Sequence, residues 1–121
     1  YEKTVAAFAE RTRLLKLRQL RYGPDYLAVE LMDRRVSKAW ALNWLIEQWD
    51  LVPEQVIAVG DDVNDLEMIE MAGLGVAMGN AAPSVLQAAD RCTLDNDREG
   101  LAVALKEILP HLFAQETRSD G

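Results

Sequence analysis

Apolar and polar positions change their spacing along this chain, and each change marks an element. Across residues 2–13, Val5, Ala6, Phe8 and Ala9 recur at helical spacing. The next stretch, Lys16-Leu17-Arg18-Gln19-Leu20, alternates charged or polar with apolar residues, as a half-buried strand does. Tyr22-Gly23-Pro24-Asp25 has the composition of a turn. Tyr26-Leu27-Ala28-Val29-Glu30-Leu31-Met32 reads as a second strand, so a hairpin is predicted over 15–32.

From Ser37 onward the period lengthens. The Ser37 hydroxyl can satisfy free N–H groups in a first turn, which predicts a helix running through Trp49. At about 100° per residue, Ala41, Leu42, Leu45, Ile46 and Trp49 share one face. Trp40 and Trp44 fall off it, beside Asn43 and Glu47. Such a pair is expected to pack against another segment or subunit, because an exposed apolar patch rarely goes unused.

Pro53 suits the first position of a helical turn, and an apolar strand follows at 56–60. Asn64 is expected to cap the next helix, with Glu67 as its capping-box partner. In that helix Leu66, Ile69 and Met68 face inward, and Gly73 supplies the stop. Gly75-Val76-Ala77-Met78-Gly79 is another buried strand, 83–89 a helix and 91–94 a short strand. A last helix at 100–109 turns Leu101, Ala104, Leu105 and Ile108 inward. The polar tail over 115–121 is expected to fray. Short apolar strands alternating with helices predict a doubly wound parallel α/β sheet, with ligands beyond the carboxyl ends of its strands.

Bulk properties narrow the partners. The chain has 121 residues, one domain's worth, with 50% hydrophobic and 27% charged residues, as in a soluble globular protein. A net charge of −7 argues against nucleic acid, which needs clustered Lys and Arg. The one basic cluster, Arg11, Arg13, Lys16, Arg18 and Arg21, is diluted by Glu2 and Glu10 and fits a solvated face. Cys92 is the single cysteine, which excludes an internal disulfide or a cysteine-based zinc site and favours a reducing, cytoplasmic compartment. It reads as a small buried strand residue. His111, after Pro110, reads as a surface residue. No signal peptide and no apolar run of membrane-spanning length is expected.

The chemistry concentrates at Gly60-Asp61-Asp62-Val63-Asn64-Asp65, where the strand ends in three carboxylates and a carboxamide. Hard cations take oxygen ligands, and Mg²⁺ commonly uses one or two carboxylates plus phosphate and water. Asp61 leaves the strand first and is the best-placed metal ligand, with Asp62 as a further contact. Asn64 can offer its amide N–H to a phosphate oxygen at a helix start that favours anions. Asp65 is better suited to orienting Lys38 or the loop. A lysine in a first turn opposes the helix dipole, and reaching a phosphate and a carboxylate would give Lys38 a reason to be there. An EF-hand is excluded because Val63 occupies a ligand position.

These residues, taken with their spacing, resemble a family. Val36-Ser37-Lys38-Ala39, Gly60 through Met68, and Val76-Ala77-Met78-Gly79-Asn80-Ala81 are similar to blocks of the haloacid dehalogenase (HAD) superfamily. The likeness is to its Cof-type, sugar-phosphate phosphatase-like branch, and it covers about 36–109. It implies an incomplete, Rossmann-like HAD core over 36–114, preceded at 1–35 by a remnant of a mixed α/β cap. It further implies Lys38 and Asp65 as catalytic residues, Lys38 and Asn64 on the phosphate, and Asp61 with Asp62 on Mg²⁺. The implied reaction is hydrolysis of small phosphorylated metabolites through a phospho-aspartyl enzyme.

The chain departs from that family where attack should occur. The family's Asp-x-Asp nucleophile motif, at the end of the first core strand, has no counterpart here. Asp95-Asn96-Asp97 has the spacing but runs into Arg98-Glu99-Gly100 and reads as a loop and helix cap. The missing strand would neighbour 56–60, so that strand is expected to present an open edge, a known association hazard. Either the chain is part of a longer phosphatase and inactive alone, or it is a non-catalytic module that binds phosphate or metal or oligomerises through that edge. A phospho-accepting receiver domain fits less well, since its acid pair should follow the first strand and its lysine the last.

Overall fold

The computed structural model describes residues 2–11, 15–22 and 24–114. Its contacts divide into two units, 1–36 and 37–121. In the first unit, helix α1 (Glu2–Arg11) precedes a hairpin of β1 (Leu15–Tyr22) and β2 (Tyr26–Asp33). The antiparallel register sets Leu17 opposite Leu31 and closes with Tyr22 opposite Tyr26. After β2, Asp33 accepts the Arg35 amide at 2.9 Å and both guanidinium arms at 3.0 and 3.1 Å. Of the apolar members of α1, Ala6 is exposed; the side chains of Val5, Phe8 and Ala9, the helix extension to residue 13, Gly23 and the 115–121 tail lie outside the described residues or side chains.

The second unit alternates helix and strand as the period predicts. Helix α2 (Lys38–Gln48) leads to β3 (Ile57–Gly60), α3 (Leu66–Met71), β4 (Leu74–Ala77), α4 (Pro83–Ala88), β5 (Arg91–Cys92), α5 (Gly100–Ile108) and α6 (Pro110–Phe113). The three strands are parallel in the order β3-β4-β5, with Val59 opposite Val76 and Ala77 opposite Cys92. Among the described strands β3 is thus an end strand of its sheet. Ala58, Ile69, Ala77, Ala81 and Val85 form the core, with Leu66 and Met68 packed against it. Small residues on the strands let α3 approach closely. A Cβ on Gly75 would lie 2.6 Å from Ile69 Cγ2.

Several local expectations need correction. Asn64 does not cap the helix after β3. Asp62 caps a 3-10 turn, Val63–Asp65, that runs into α3, so the chain turns two residues earlier than the Asn64–Glu67 pair suggests. Gly73 follows α3, but its smallness serves close approach. Its amide donates to Pro53 O at 2.7 Å, and a Cβ would sit 2.8 Å from that oxygen.

On α2 only Ile46 is buried, and Ala41 is exposed. Trp49, at the C-cap of α2, is 65% exposed rather than on the covered face. Trp40 and Trp44 are exposed, on the outer side as expected. On α5 the buried positions are Gly100 and Ala104, one turn apart, which rotates Leu101 outward. Cys92 is exposed, since β5 is a two-residue end strand with neither residue covered. Helix α6, opened by Pro110 and carrying an exposed His111, was not anticipated.

Ile69→Ala should lower the unfolding free energy by about 2–5 kcal/mol, as core truncations do, when measured by urea denaturation. Leu86→Ala, at a 41% exposed position, should cost less than about 1 kcal/mol. Equal losses from the two would contradict this placement of the core.

Candidate active site

The site gathers at the carboxyl end of β3, where local chemistry fixes each group. Gly60 ends the strand, and a Cβ on it would lie 2.7 Å from the Asp65 carboxylate. Glycine is therefore needed for the 3-10 turn to fold Asp65 back beneath the strand tip. The turn is held by its own acids. Asp62 Oδ1 accepts the Val63 amide at 2.7 Å, and the Asp65 amide donates to Asp62 O at 2.8 Å. Asp65 Oδ2 accepts the amides of Asp61 at 3.0 Å and Asp62 at 3.1 Å.

The other carboxylate oxygen of Asp65 faces α2. Ser37 caps that helix by accepting the Trp40 amide at 3.0 Å, which makes Lys38 its first residue. Lys38 Nζ donates to Asp65 Oδ1 in a charge-assisted hydrogen bond. Asp65 is 3% exposed, whereas the Lys38 side chain is half exposed. The ammonium can therefore serve the carboxylate and still meet a ligand from solvent. An ammonium at a helix start is unfavourable by itself; its carboxylate partner offsets that.

Burial pushes the Asp65 carboxyl up. The hydrogen bond from Lys38 and those from the Asp62 and Asp61 amides outweigh it, and the group titrates below its ordinary 3.8. Asp65 is consequently ionised at neutral pH, and its oxygens are committed to donors.

Asp61 differs. Its backbone is gripped from both ends, the N–H by Asp65 and the carbonyl by the Ala82 amide at 2.8 Å. Its carboxylate is exposed and has no hydrogen-bond or ion-pair partner among the described residues. Asn64 Oδ1 is buried, also without a partner among the described residues. An orphaned carbonyl oxygen costs about 1–3 kcal/mol unless something satisfies it. An open carboxylate and an unpartnered amide oxygen are both donors of the kind a hard cation takes. The set is partial, because among the described residues no three or more His, Cys, Asp or Glu side chains gather as a metal cluster. A cation here would draw the rest of its shell from phosphate, water or a further carboxylate.

The structure thus brings Lys38, Asp65 and the Asp61–Asp62 backbone into one network and sets Asn64 within the same turn. Sequence reasoning placed Gly60 in the acidic motif without giving it a role, and did not single out the Ala82 amide. A glycine preceding an acidic turn signals the first; a backbone donor leaves no signal of its own. The alternative Asp-x-Asp is occupied. Asp95 caps the 3-10 turn Asn96–Arg98 by accepting the Arg98 amide at 3.0 Å, and it pairs with the Arg98 guanidinium at 2.8 Å. Among the described residues, no helix is long and apolar enough to cross a membrane.

Comparison with known proteins gives a consistent answer. The sequence profile of the haloacid dehalogenase-like hydrolases matches residues 2–105. The phosphatase YwpJ of Bacillus subtilis is 46% identical over 80 residues, which are 66% of this chain and 28% of that protein. The 5-amino-6-(5-phospho-D-ribitylamino)uracil phosphatase YitU of the same organism is 40% identical over 87 residues, 72% of this chain and 32% of its own. The chain thus spans about a third of the length of these relatives. Among solved structures, a haloacid dehalogenase-like hydrolase from Bacteroides thetaiotaomicron superposes with a TM-score of 0.72 and 42% identity, covering 89% of this chain and 41% of that one.

A carboxyl held below 3.8 in the fold contributes stability above that pH and loses it as pH falls through the folded value. Asp65→Asn should cost about 1–3 kcal/mol at neutral pH. It should also flatten the acid limb of the stability profile below about pH 4, followed by urea denaturation at stepped pH. An unchanged acid limb would contradict the ionised, donor-bound Asp65.

Proposed function

The chain belongs to the haloacid dehalogenase-like hydrolase family, and from that premise we propose that it forms the phosphate-gripping and metal-holding half of a Mg²⁺-dependent phosphatase. Its substrates are small phosphorylated metabolites, with sugar phosphates the leading class; the YitU relative is named for a phosphorylated ribityl compound. Residues 1–35 are a remnant of a cap, the branch is Cof-type, and the compartment is cytoplasmic.

The observation that carries this reading is Lys38 pinned to Asp65 at the strand tip that also presents Asp61. Lys38, half exposed, reaches a phosphate oxygen with its ammonium while Asp65 fixes its direction. Asn64 lends the amide N–H of its side chain to the same phosphate. Asp61 would hold Mg²⁺, with the second oxygen of Asp62 in support, and the ion would screen the phosphoryl charge. These groups bind and orient a phosphate. In this reading none of them attacks it: Lys38 and Asn64 grip the phosphate, Asp61 and Asp62 serve the ion, and the carboxylates of Asp65 and Asp95 are taken up by their own donors. The nucleophile must come from an Asp-x-Asp strand beside β3.

The end position of β3 favours a second reading, a non-catalytic module that binds phosphate or metal and associates through that edge, with another copy of itself as partner. Hydrolysis of p-nitrophenyl phosphate separates the two. The 121-residue chain alone should release no phosphate. A longer protein that joins it to the Asp-x-Asp strand should hydrolyse the ester with Mg²⁺, and Asp61→Asn or Lys38→Ala should each lower kcat/KM by about 10²-fold or more. No Mg²⁺-dependent activity in the longer protein would favour the module. Release by the 121-residue chain that Asp61→Asn abolishes would place the attacking group within it.

A further inference from the structure

The acidic tip is bonded to the loop after the neighbouring strand β4. Asp61 is held through its carbonyl by the Ala82 amide at 2.8 Å, and Ala82 follows the turn Gly79-Asn80-Ala81 at the end of β4. That turn is closed by Ala81 N–H donating to Met78 O at 2.9 Å. Its outer side is fastened to the segment after β5. Gly79 N–H donates to Leu94 O at 3.1 Å, and Asn80 Oδ1 accepts the Asn96 amide at 3.0 Å.

The segment receiving these bonds is stiffly built. Thr93 Oγ1 donates to Gly100 O at 2.8 Å, and Gly100 N–H donates to Asp95 O at 3.0 Å. Asp95 clamps Arg98, Glu99 sits in the left-handed region at φ 54°, and a Cβ on Gly100 would lie 2.6 Å from Leu94 C. Space and hydrogen bonds together leave that hook little freedom.

We infer that Asn80 is a positioning residue for Asp61: by accepting the Asn96 amide it ties the 79–82 turn to the 93–100 hook, and so fixes the Ala82 N–H that grips the Asp61 carbonyl. The direction of a side chain leaving the backbone is set where its own N–H and C=O are set. With Asp65 holding the Asp61 N–H, the Asn80 link completes the second constraint. The consequence for ligand binding rests on the proposed role of Asp61 as a cation ligand.

Two variants cut the link from opposite sides. Asn80→Ala removes the acceptor. Asn96→Pro removes the donor at the first position of its 3-10 turn, where proline is tolerated. Asn80→Asp keeps an acceptor oxygen and serves as the conservative rescue. Amide hydrogen exchange, read residue by residue by NMR on the full 121-residue chain, reports the Ala82 N–H without any metal, and Mn²⁺ titration reports the Asp61 carboxylate. In both cutting variants Ala82 should exchange about fivefold faster or more, and the Mn²⁺ dissociation constant should rise by about the same factor, the worth of one hydrogen bond. Asn80→Asp should keep Ala82 protected as in the parent chain. Ala82 exchange within about twofold of the parent in both cutting variants would overturn the link, since local opening would then be independent of it. Faster exchange with undiminished Mn²⁺ affinity would overturn the positioning role. If the parent chain binds no Mn²⁺, the cation role of Asp61 fails, and the exchange rates alone decide whether Asn80 holds the turn.

Discussion

The buried carboxylate of Asp65 meets three donors that come from two different elements. The Lys38 ammonium arrives from the first turn of α2, and the Asp61 and Asp62 amides arrive from the end of β3. An ionised carboxylate at 3% exposure survives only when its lone pairs are so occupied. The arrangement removes any freedom from Asp65 itself, and transfers order to its neighbours. Lys38 gains a fixed direction, and the strand tip gains a backbone geometry that leaves the Asp61 carboxylate open.

The rest of the second unit can be understood as support for that contact. Gly60 must lack a side chain, or Asp65 could not fold back beneath it. Asp62 must cap the 3-10 turn so that Asp65 occurs three residues later, at a position where its side chain returns to the amides it serves. The core of Ala58, Ile69, Ala77, Ala81 and Val85 fixes α3 and α4 against the sheet. From α4's leading turn comes the amide that holds the Asp61 carbonyl. Ligand-facing groups at the carboxyl ends of parallel strands are thereby set by packing below them.

Much of this was legible in the sequence because period and composition act locally. The alternation in 16–32 gave the hairpin, and the apolar run ending at Gly60 gave β3 with its acidic tip. Ser37 was readable as a cap because its chemistry is satisfied within one turn. What sequence could not give were choices made by three-dimensional competition. Asp62 and Asn64 are both good caps, and the close return of Asp65 to Gly60 decides for Asp62. Leu101 and Trp49 have apolar side chains at plausible spacing. Yet helix rotation at Gly100 turns Leu101 to solvent, and Trp49, past the end of α2 at Gln48, is exposed too. Cys92 was expected inside because strands of this kind are usually covered; β5 is too short and too far out for that. The Ala82 amide is a backbone group, and no residue type announces where such a donor will point.

Lys38 and Asp65 act as one unit, and a double-mutant cycle measures this directly. Lys38→Met, Asp65→Asn and the double variant, each unfolded in urea at pH 7, should show a coupling energy of about 1 kcal/mol or more for this partly buried charge pair. Additive effects, with a coupling below about 0.3 kcal/mol, would contradict it.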